Sequence, residues 1–332
     1  MRIGVIGSGS WGTALAQTLA DGGQDVLVYG VSQTEIEDIS QNHRNSRYFG
    51  DASVSDKVRA SLVLDDLKGF NDVFVLAVPT KFFTSVLAQI RPYVAPHTVL
   101  CNVAKGFAHD TGERLSERIR REMAGVSYEG VVSLIGPSHA EEVILRKLTC
   151  LTAVSTNEAA ARKVQALFSN DYMRVYTHSD EIGAEYGAAV KNVIAIASGI
   201  LEGVGYGDNA KAALVTRGLR EMARYGIEKG GCPDTFSGLS GVGDLIVTCF
   251  SVHSRNYRAG LEIGRAGTAD VLKENSETVE GVHACLAVYH DAKKMGIEMP
   301  IVESLYAILY EGRSPQDAIS ALMHRPLKIE NQ

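Results

Sequence analysis

RIGVIGSGSWGTALAQTLADGGQDVLVYG, residues 2–30, decides how the amino-terminal half of the chain folds. RIGVIG at 2–7 is a short apolar run of the kind that lies in a buried parallel strand. GSGSWG follows at Gly7–Gly12, then TALAQTLADGG reads as a helix ending at Gly22–Gly23, and QDVLVYG at 24–30 as a second strand. Strand, glycine turn, helix and strand within about thirty residues is the setting in which GxGxxG binds a dinucleotide. Gly7 permits the tight turn, Gly9 lets the backbone approach a pyrophosphate, and Gly12 allows helix and strand to pack closely. The helix N-terminus adds amides and a positive dipole for the phosphates.

The usual marker of cofactor choice is missing. Binders of NAD tend to carry Asp or Glu at the end of the second strand, where it takes the ribose hydroxyls. Here the chain reads Tyr29, Gly30, Val31, Ser32, with neither a carboxylate nor an arginine. Glu35 and Glu37 come later, in the following helix, and are expected to face solvent. Arg44 and Arg47 lie in the next loop, as candidates to reach a 2′-phosphate.

Further along, NDVFVLAVP (71–79), HTVLCNVAKG (97–106) and GVVSLIGPSHAEEVI (130–144) each read as a buried strand leading into a turn, with TKFFTSVLAQI as an amphipathic helix between the first two. Gly136, Pro137 and Ser138 form a turn of the kind at which open α/β sheets bind ligands. LTCLTAVS and MRVYT look like two last strands, separated by a helix over Glu158–Ser169. Beyond Ser179 the pattern is helical only. The expectation is a doubly wound, Rossmann-like α/β domain over residues 1–178 and an all-helical domain over 179–332, with the site in the cleft between them.

Bulk properties narrow the classes. A chain of 332 residues prompts a two-domain prior. A net charge of −6 gives no general attraction to nucleic acid or an anionic membrane, so any phosphate-bearing ligand needs a local cluster of cations and amides. The five cysteines lie far apart with no CxxC pair and an odd total, which argues against a disulfide framework or a zinc site and suits a reducing compartment. The start of the chain shows no signal-peptide pattern, and the most apolar helix, around Val193–Gly203, reads as too short and too broken to span a bilayer. Cytoplasmic location is the expectation.

Three isolated charges point to chemistry. In AAVKNVIAIASGI, Lys191 is the one charge between Glu185 and Glu202, with Asn192 beside it. A lysine is seldom buried unless paired, and a buried lysine shifts its pKa readily, which suits proton transfer. Its alternative reading is a structural ion pair or a snorkelling side chain. In SGLSGVGDLIVTCFS, Asp244 is alone between Asp234 and Arg255. It is either an N-cap for the LIVTCF helix or the partner of Lys191. Lys105 is the one charge between Arg91 and Asp110. HSRNYRAG (253–260) concentrates Ser254, Arg255, Asn256 and Arg258 in one turn, which is either a phosphate-binding cluster or a solvated loop.

Taken together, GSGSWGTALA, NHRNSRYFG, AKGF, GPSHAEEV, AAVKNVIAIASG, SGVGDLIVTC, SRNYRAG, TVEGV and GIEMPIVE follow one another along nearly the whole chain. In that order they resemble the soluble, bacterial-type NAD(P)-dependent sn-glycerol-3-phosphate dehydrogenases. The resemblance implies a carboxy-terminal domain like that of 6-phosphogluconate dehydrogenase. It also implies an enzyme that moves hydride between NADP or NAD and dihydroxyacetone phosphate, giving sn-glycerol 3-phosphate for glycerophospholipid biosynthesis. It assigns Lys191 as the proton donor and acceptor, with Asp244, Lys105, Asn192 and Thr248 completing the catalytic network. Substrate falls to Lys105, Gly136, Ser138, Lys191, Asp244, Ser254, Arg255 and Asn256. Cofactor falls to Gly7, Gly9, Ser10, Trp11, Gly12, Lys105, Ala140, Arg255, Val279 and Glu280. NADPH is slightly favoured over NADH, although Val31 stands where relatives often have His or Arg. A homodimer is implied, with no metal, nucleic-acid partner or membrane insertion. Two rivals remain: a dehydrogenase of the same architecture acting on a 3-hydroxy acid or 6-phosphogluconate, and a nucleotide-sensing protein without turnover.

Overall fold

A computed structural model describes residues 1–274, 279–327 and 329–330. Eight strands form one sheet in the order β3-β2-β1-β4-β5-β6-β7-β8. They are β1 (Arg2–Ile6), β2 (Asp25–Tyr29), β3 (Val58–Ser61), β4 (Val73–Leu76), β5 (Val99–Asn102), β6 (Gly130–Ile135), β7 (Thr149–Val154) and β8 (Met173–His178). All neighbours pair in parallel except β6 and β7, which run antiparallel with Leu134 opposite Ala153. Helices α1 (Ser10–Asp21), α2 (Gln33–Asn42), α3 (Ser46–Phe49), α4 (Phe83–Ile90), α5 (Leu115–Glu122), α6 (Ala140–Val143) and α7 (Glu158–Phe168) lie in the connections. Helices cover both faces of the interior strands, so β4, β5 and β6 are buried throughout and mostly apolar, with Asn102 and Ser133 as polar exceptions. In β1, Val5 is fully buried and sits between Val28 of β2 and Val75 of β4. Strand β3 was not expected. It is four residues long, at the sheet edge, with exposed Arg59 in its middle, so it carries almost no apolar pattern.

After His178 the chain becomes helical: α8 (Glu181–Val204), α9 (Asp208–Glu228), α10 (Pro233–Phe236), α11 (Asp244–Cys249), α12 (Arg255–Ala266), α13 (Glu280–Met295), α14 (Pro300–Tyr310) and α15 (Pro315–Met323). Asp180 caps α8 by accepting from the Gly183 amide at 2.9 Å, and Gly205 ends it in the left-handed region at φ 97°. Helices α9, α11, α12 and α13 surround α8, which is buried along most of its length. The expectation that this segment is too short and broken to span a bilayer is corrected. The helix is unbroken over 24 residues and apolar enough to cross a membrane by length and composition. Small residues of Gly187–Ala189 extend the apolar run backward from the stretch the sequence reading weighed, and the helix forms the centre of the second hydrophobic core.

Close backbone approach fixes the partner of α8. A Cβ on Gly199 would overlap the Tyr257 carbonyl, and one on Gly260 the Ile196 carbonyl. One turn further on, Gly203 and Gly264 lie somewhat less tightly against the Leu261 and Ile200 carbonyls, where a Cβ would still overlap. Two glycine pairs spaced by four thus let α12 sit directly on α8, which carries the start of α12 to the Lys191–Asn192 turn.

Candidate active site

The glycine turn of residues 7–12 joins β1 to α1, as its spacing predicts. Gly7 has φ 118°, a conformation side-chain-bearing residues rarely adopt, and a Cβ on Gly12 would overlap the Gly7 carbonyl. Gly9 caps α1, and the space where its Cβ would stand is open. Ser10 opens the helix, and Trp11 packs on the sheet core with its indole Nε1 buried and unpartnered. Open backbone at Gly9, an unmet donor at Trp11 and the amides of a twelve-residue helix fit a dinucleotide pyrophosphate.

Two expectations near this turn are corrected. Glu37 is exposed, but Glu35 is 6% exposed and accepts a hydrogen bond from the Ser8 hydroxyl at 2.6 Å. Its carboxylate is turned inward because Arg47 and Tyr48 from the next segment also bond to it. HSRNYRAG is no loop: Ser254 caps α12, accepting from the Tyr257 amide at 3.2 Å, and both Ser254 and Asn256 are buried. Arg258 turns back to the carbonyls of Val252 and His253, away from a phosphate role. Arg255 stays exposed at the helix start and has no hydrogen-bond partner among the described residues.

The three isolated charges meet. Lys191, 4% exposed, donates from Nζ to Asp244 Oδ1 at 2.7 Å and to Thr248 Oγ1 at 2.7 Å. The Thr248 hydroxyl in turn donates a hydrogen bond to the Asp244 carbonyl at 2.6 Å. Asp244 is fully buried and does not cap α11; Gly243 holds that position. Lys105, projecting from the loop after β5, brings Nζ to 3.1 Å from Asp244 Oδ1 and 3.0 Å from Oδ2, and donates to the Gly136 carbonyl at 2.9 Å. One carboxylate therefore faces two ammonium groups, one from each half of the chain. Burial pushes the Lys191 pKa down to about 8; Asp244 opposes the shift and Lys105 adds to it. Such a depressed ammonium is matched to proton transfer near neutrality.

The surrounding side chains hold this arrangement. Asn192 lies beside the Lys105 carbonyl at 3.5 Å and accepts from Asn256 Nδ2 at 3.0 Å, while Asn256 Oδ1 takes the Gly281 amide at 2.9 Å. Gly136 has φ 151°, and the Ser138 hydroxyl turns to the Gly136 carbonyl at 3.1 Å. Ala140 starts α6 and is buried. From the helical side, Val279 caps α13 and Glu280 accepts from the Thr80 amide at 3.2 Å and its hydroxyl at 2.5 Å. Thr278 of the TVEGV stretch lies outside the described residues. Sequence reasoning missed Thr80, whose one signal is its place directly after Pro79 at the end of a strand. It also missed His139, whose ring Nε2 lies 3.2 Å from the Val247 carbonyl and ties the GPS turn to α11. Among the described residues no group of His, Cys, Asp and Glu could hold a metal ion.

Comparison with known proteins identifies the family of the chain. A family described as NAD-dependent glycerol-3-phosphate dehydrogenase N-terminus matches residues 2–161, and its C-terminus counterpart matches 180–320. A glycerol-3-phosphate dehydrogenase [NAD(P)+] of Exiguobacterium sp. is 46% identical over 330 residues, covering 99% of this chain and 97% of that one. One of Listeria monocytogenes is 45% identical over 332 residues, covering 100% and 98%. The crystal structure of glycerol-3-phosphate dehydrogenase from Coxiella burnetii superposes with a TM-score of 0.90 at 32% identity, covering 97% of this chain and 98% of that one. With both halves matched in order over almost the whole length, the chain belongs to the NAD-dependent glycerol-3-phosphate dehydrogenase family.

Proposed function

We propose that this protein transfers hydride reversibly between NAD(P)H and dihydroxyacetone phosphate, producing sn-glycerol 3-phosphate. The observation that carries the reading is the buried Lys191–Asp244–Thr248 cluster, joined by Lys105, at the turn built from Gly136 and Ser138. The bound nicotinamide supplies the hydride, which reaches C2 of the ketone. The residues of the chain manage the charge that then develops on the C2 oxygen. Lys191 donates a proton to that oxygen in reduction and removes it from the alcohol in oxidation. Asp244 holds the Lys191 ammonium in place, Thr248 fixes its second donor direction, and Asn192 anchors the Lys105 backbone. Lys105 places a second positive charge beside the same oxygen and lowers the proton affinity of Lys191. Arg255, Ser254 and Asn256 take the phosphate end, with the exposed guanidinium making the bidentate contact. Gly136 and Ser138 bound the substrate from the sheet side. Gly7, Gly9, Ser10, Trp11 and Gly12 hold the pyrophosphate half of the cofactor, and Lys105, Ala140, Arg255, Val279 and Glu280 enclose the remainder.

Residues 1–178 form the dinucleotide-binding domain and 179–332 the substrate domain in this reading. The protein acts as a cytoplasmic homodimer in glycerophospholipid biosynthesis, without nucleic acid or membrane insertion; five free cysteines support a reducing compartment. Following absorbance at 340 nm tests the assignment. Consumption of NADPH or NADH with dihydroxyacetone phosphate, with none on 3-keto acids and no reduced cofactor formed from 6-phosphogluconate and NADP or NAD, supports it. Nucleotide binding without turnover of any ketone overturns it.

A further inference from the structure

We propose that Arg47 reads the 2′-phosphate of NADP, with Glu35 as the positioning residue that aims it. The inference deepens the nucleotide-binding reading above and rests on it. At the end of β2 the chain passes through Gly30 and exposed Val31 into α2, the place where a carboxylate normally accepts from ribose hydroxyls. The next carboxylate along the chain is Glu35, and both of its oxygens already accept hydrogen bonds. Oε2 accepts from Ser8 Oγ at 2.6 Å, and Oε1 accepts from Arg47 Nη1 at 3.0 Å and from the Tyr48 hydroxyl at 3.2 Å. Ser8 belongs to the glycine turn, and Gly30 packs so closely on it that a Cβ there would overlap the hydroxyl. The bonded chain Ser8–Glu35–Arg47 therefore runs from the pyrophosphate turn past the end of the second strand.

The segment carrying Arg47 is fixed to that turn. Asn45 is fully buried and donates to the Ser8 carbonyl at 2.8 Å and the Thr13 hydroxyl at 2.9 Å. Arg47 itself is 67% exposed, and Glu35 is its one hydrogen-bond partner among the described residues, leaving most of its five N–H donors open. Arg44, the other arginine of this segment, is turned to Asp51 at 3.1 Å. Three of the roughly four lone-pair sites of the Glu35 carboxylate are already engaged, and the side chain is buried, so it is a poor acceptor for a ribose 2′-hydroxyl. A 2′-phosphate needs donors, and a guanidinium held by one edge offers them in bidentate form.

The test measures binding of NADPH, NADH and 2′,5′-ADP to the protein by calorimetry, for the wild type, Arg47→Ala and Glu35→Gln. For Arg47→Ala, affinity for NADPH and 2′,5′-ADP falls by about tenfold or more, as expected for loss of a charge-assisted contact, while NADH binding stays within about twofold. Retained NADH binding also shows that the variant is folded. For Glu35→Gln the same ratio shifts in the same direction, by less. Equal losses for NADPH and NADH, or no loss for either, overturn the proposal. A wild type that binds neither nucleotide overturns the cofactor reading itself.

Discussion

Lys191 is buried deeply enough that its charge is costly, and its ammonium is stabilised by one aspartate that it shares with Lys105. That burial, with Lys105 adding to it, lowers the Lys191 pKa and has a pH consequence. Reduction needs the protonated amine, so kcat/KM for dihydroxyacetone phosphate is flat at lower pH and falls as pH rises through about 8. Oxidation of glycerol 3-phosphate needs the free amine, so its kcat/KM climbs through the same range. Rate profiles in both directions check this; two profiles moving the same way would contradict the role. At the phosphate end, Arg255→Ala is expected to raise KM for dihydroxyacetone phosphate by about tenfold to a hundredfold with a smaller effect on kcat. An unchanged KM would remove Arg255 from substrate binding.

At the scale of elements, the α8–α12 contact decides whether the site exists at all. Replacing Gly199 with Ala puts a methyl into the Tyr257 carbonyl, and the backbones must separate. The expected cost is about 1–3 kcal/mol, read as a lowered denaturation midpoint, together with a loss of activity, because Ser254 and Asn256 ride on the displaced helix. Normal activity in a destabilised Gly199→Ala protein would show that α12 position is immaterial. Much of the element pattern was legible beforehand. The strand–turn–helix of residues 2–30, the switch to helices after Ser179 and the isolation of Lys105, Lys191 and Asp244 all rest on local composition. The departures have a common cause. Glu35 looked like an exposed helix charge because its partners, Ser8 and Arg47, come from elsewhere in the sequence. The stretch 253–260 stayed open between a phosphate-binding turn and a solvated loop because nothing local shows that the helix it begins packs on α8. Strand β3 was invisible because an edge strand of four residues need not alternate.

At the scale of the whole molecule, the sheet and the helical part are joined by buried polar bonds as well as by the site. Glu185 of α8 accepts from Arg114 at 2.9 Å, from the Ser116 amide and hydroxyl at 3.1 and 2.6 Å, and from Ser133 on β6 at 2.8 Å. Burial raises its pKa, and Arg114 with the two serines works against that shift. Glu185→Ala removes one of the two carboxylates on the buried Arg114 guanidinium, the other being Glu117 at 2.7 Å, and leaves Ser116 and Ser133 without their acceptor, at a cost of about 2–4 kcal/mol. Thermal unfolding should shift down by about 3–6 °C. A shift of a degree or less would mean that the joint is held by apolar packing alone. The account as a whole stands on Lys191 as the group that gives and takes the proton. Its most direct measurement is Lys191→Ala assayed at 340 nm with dihydroxyacetone phosphate, alongside calorimetric NADPH binding. The account predicts turnover reduced by about a thousandfold or more with NADPH affinity nearly intact; turnover close to the wild-type rate would contradict it.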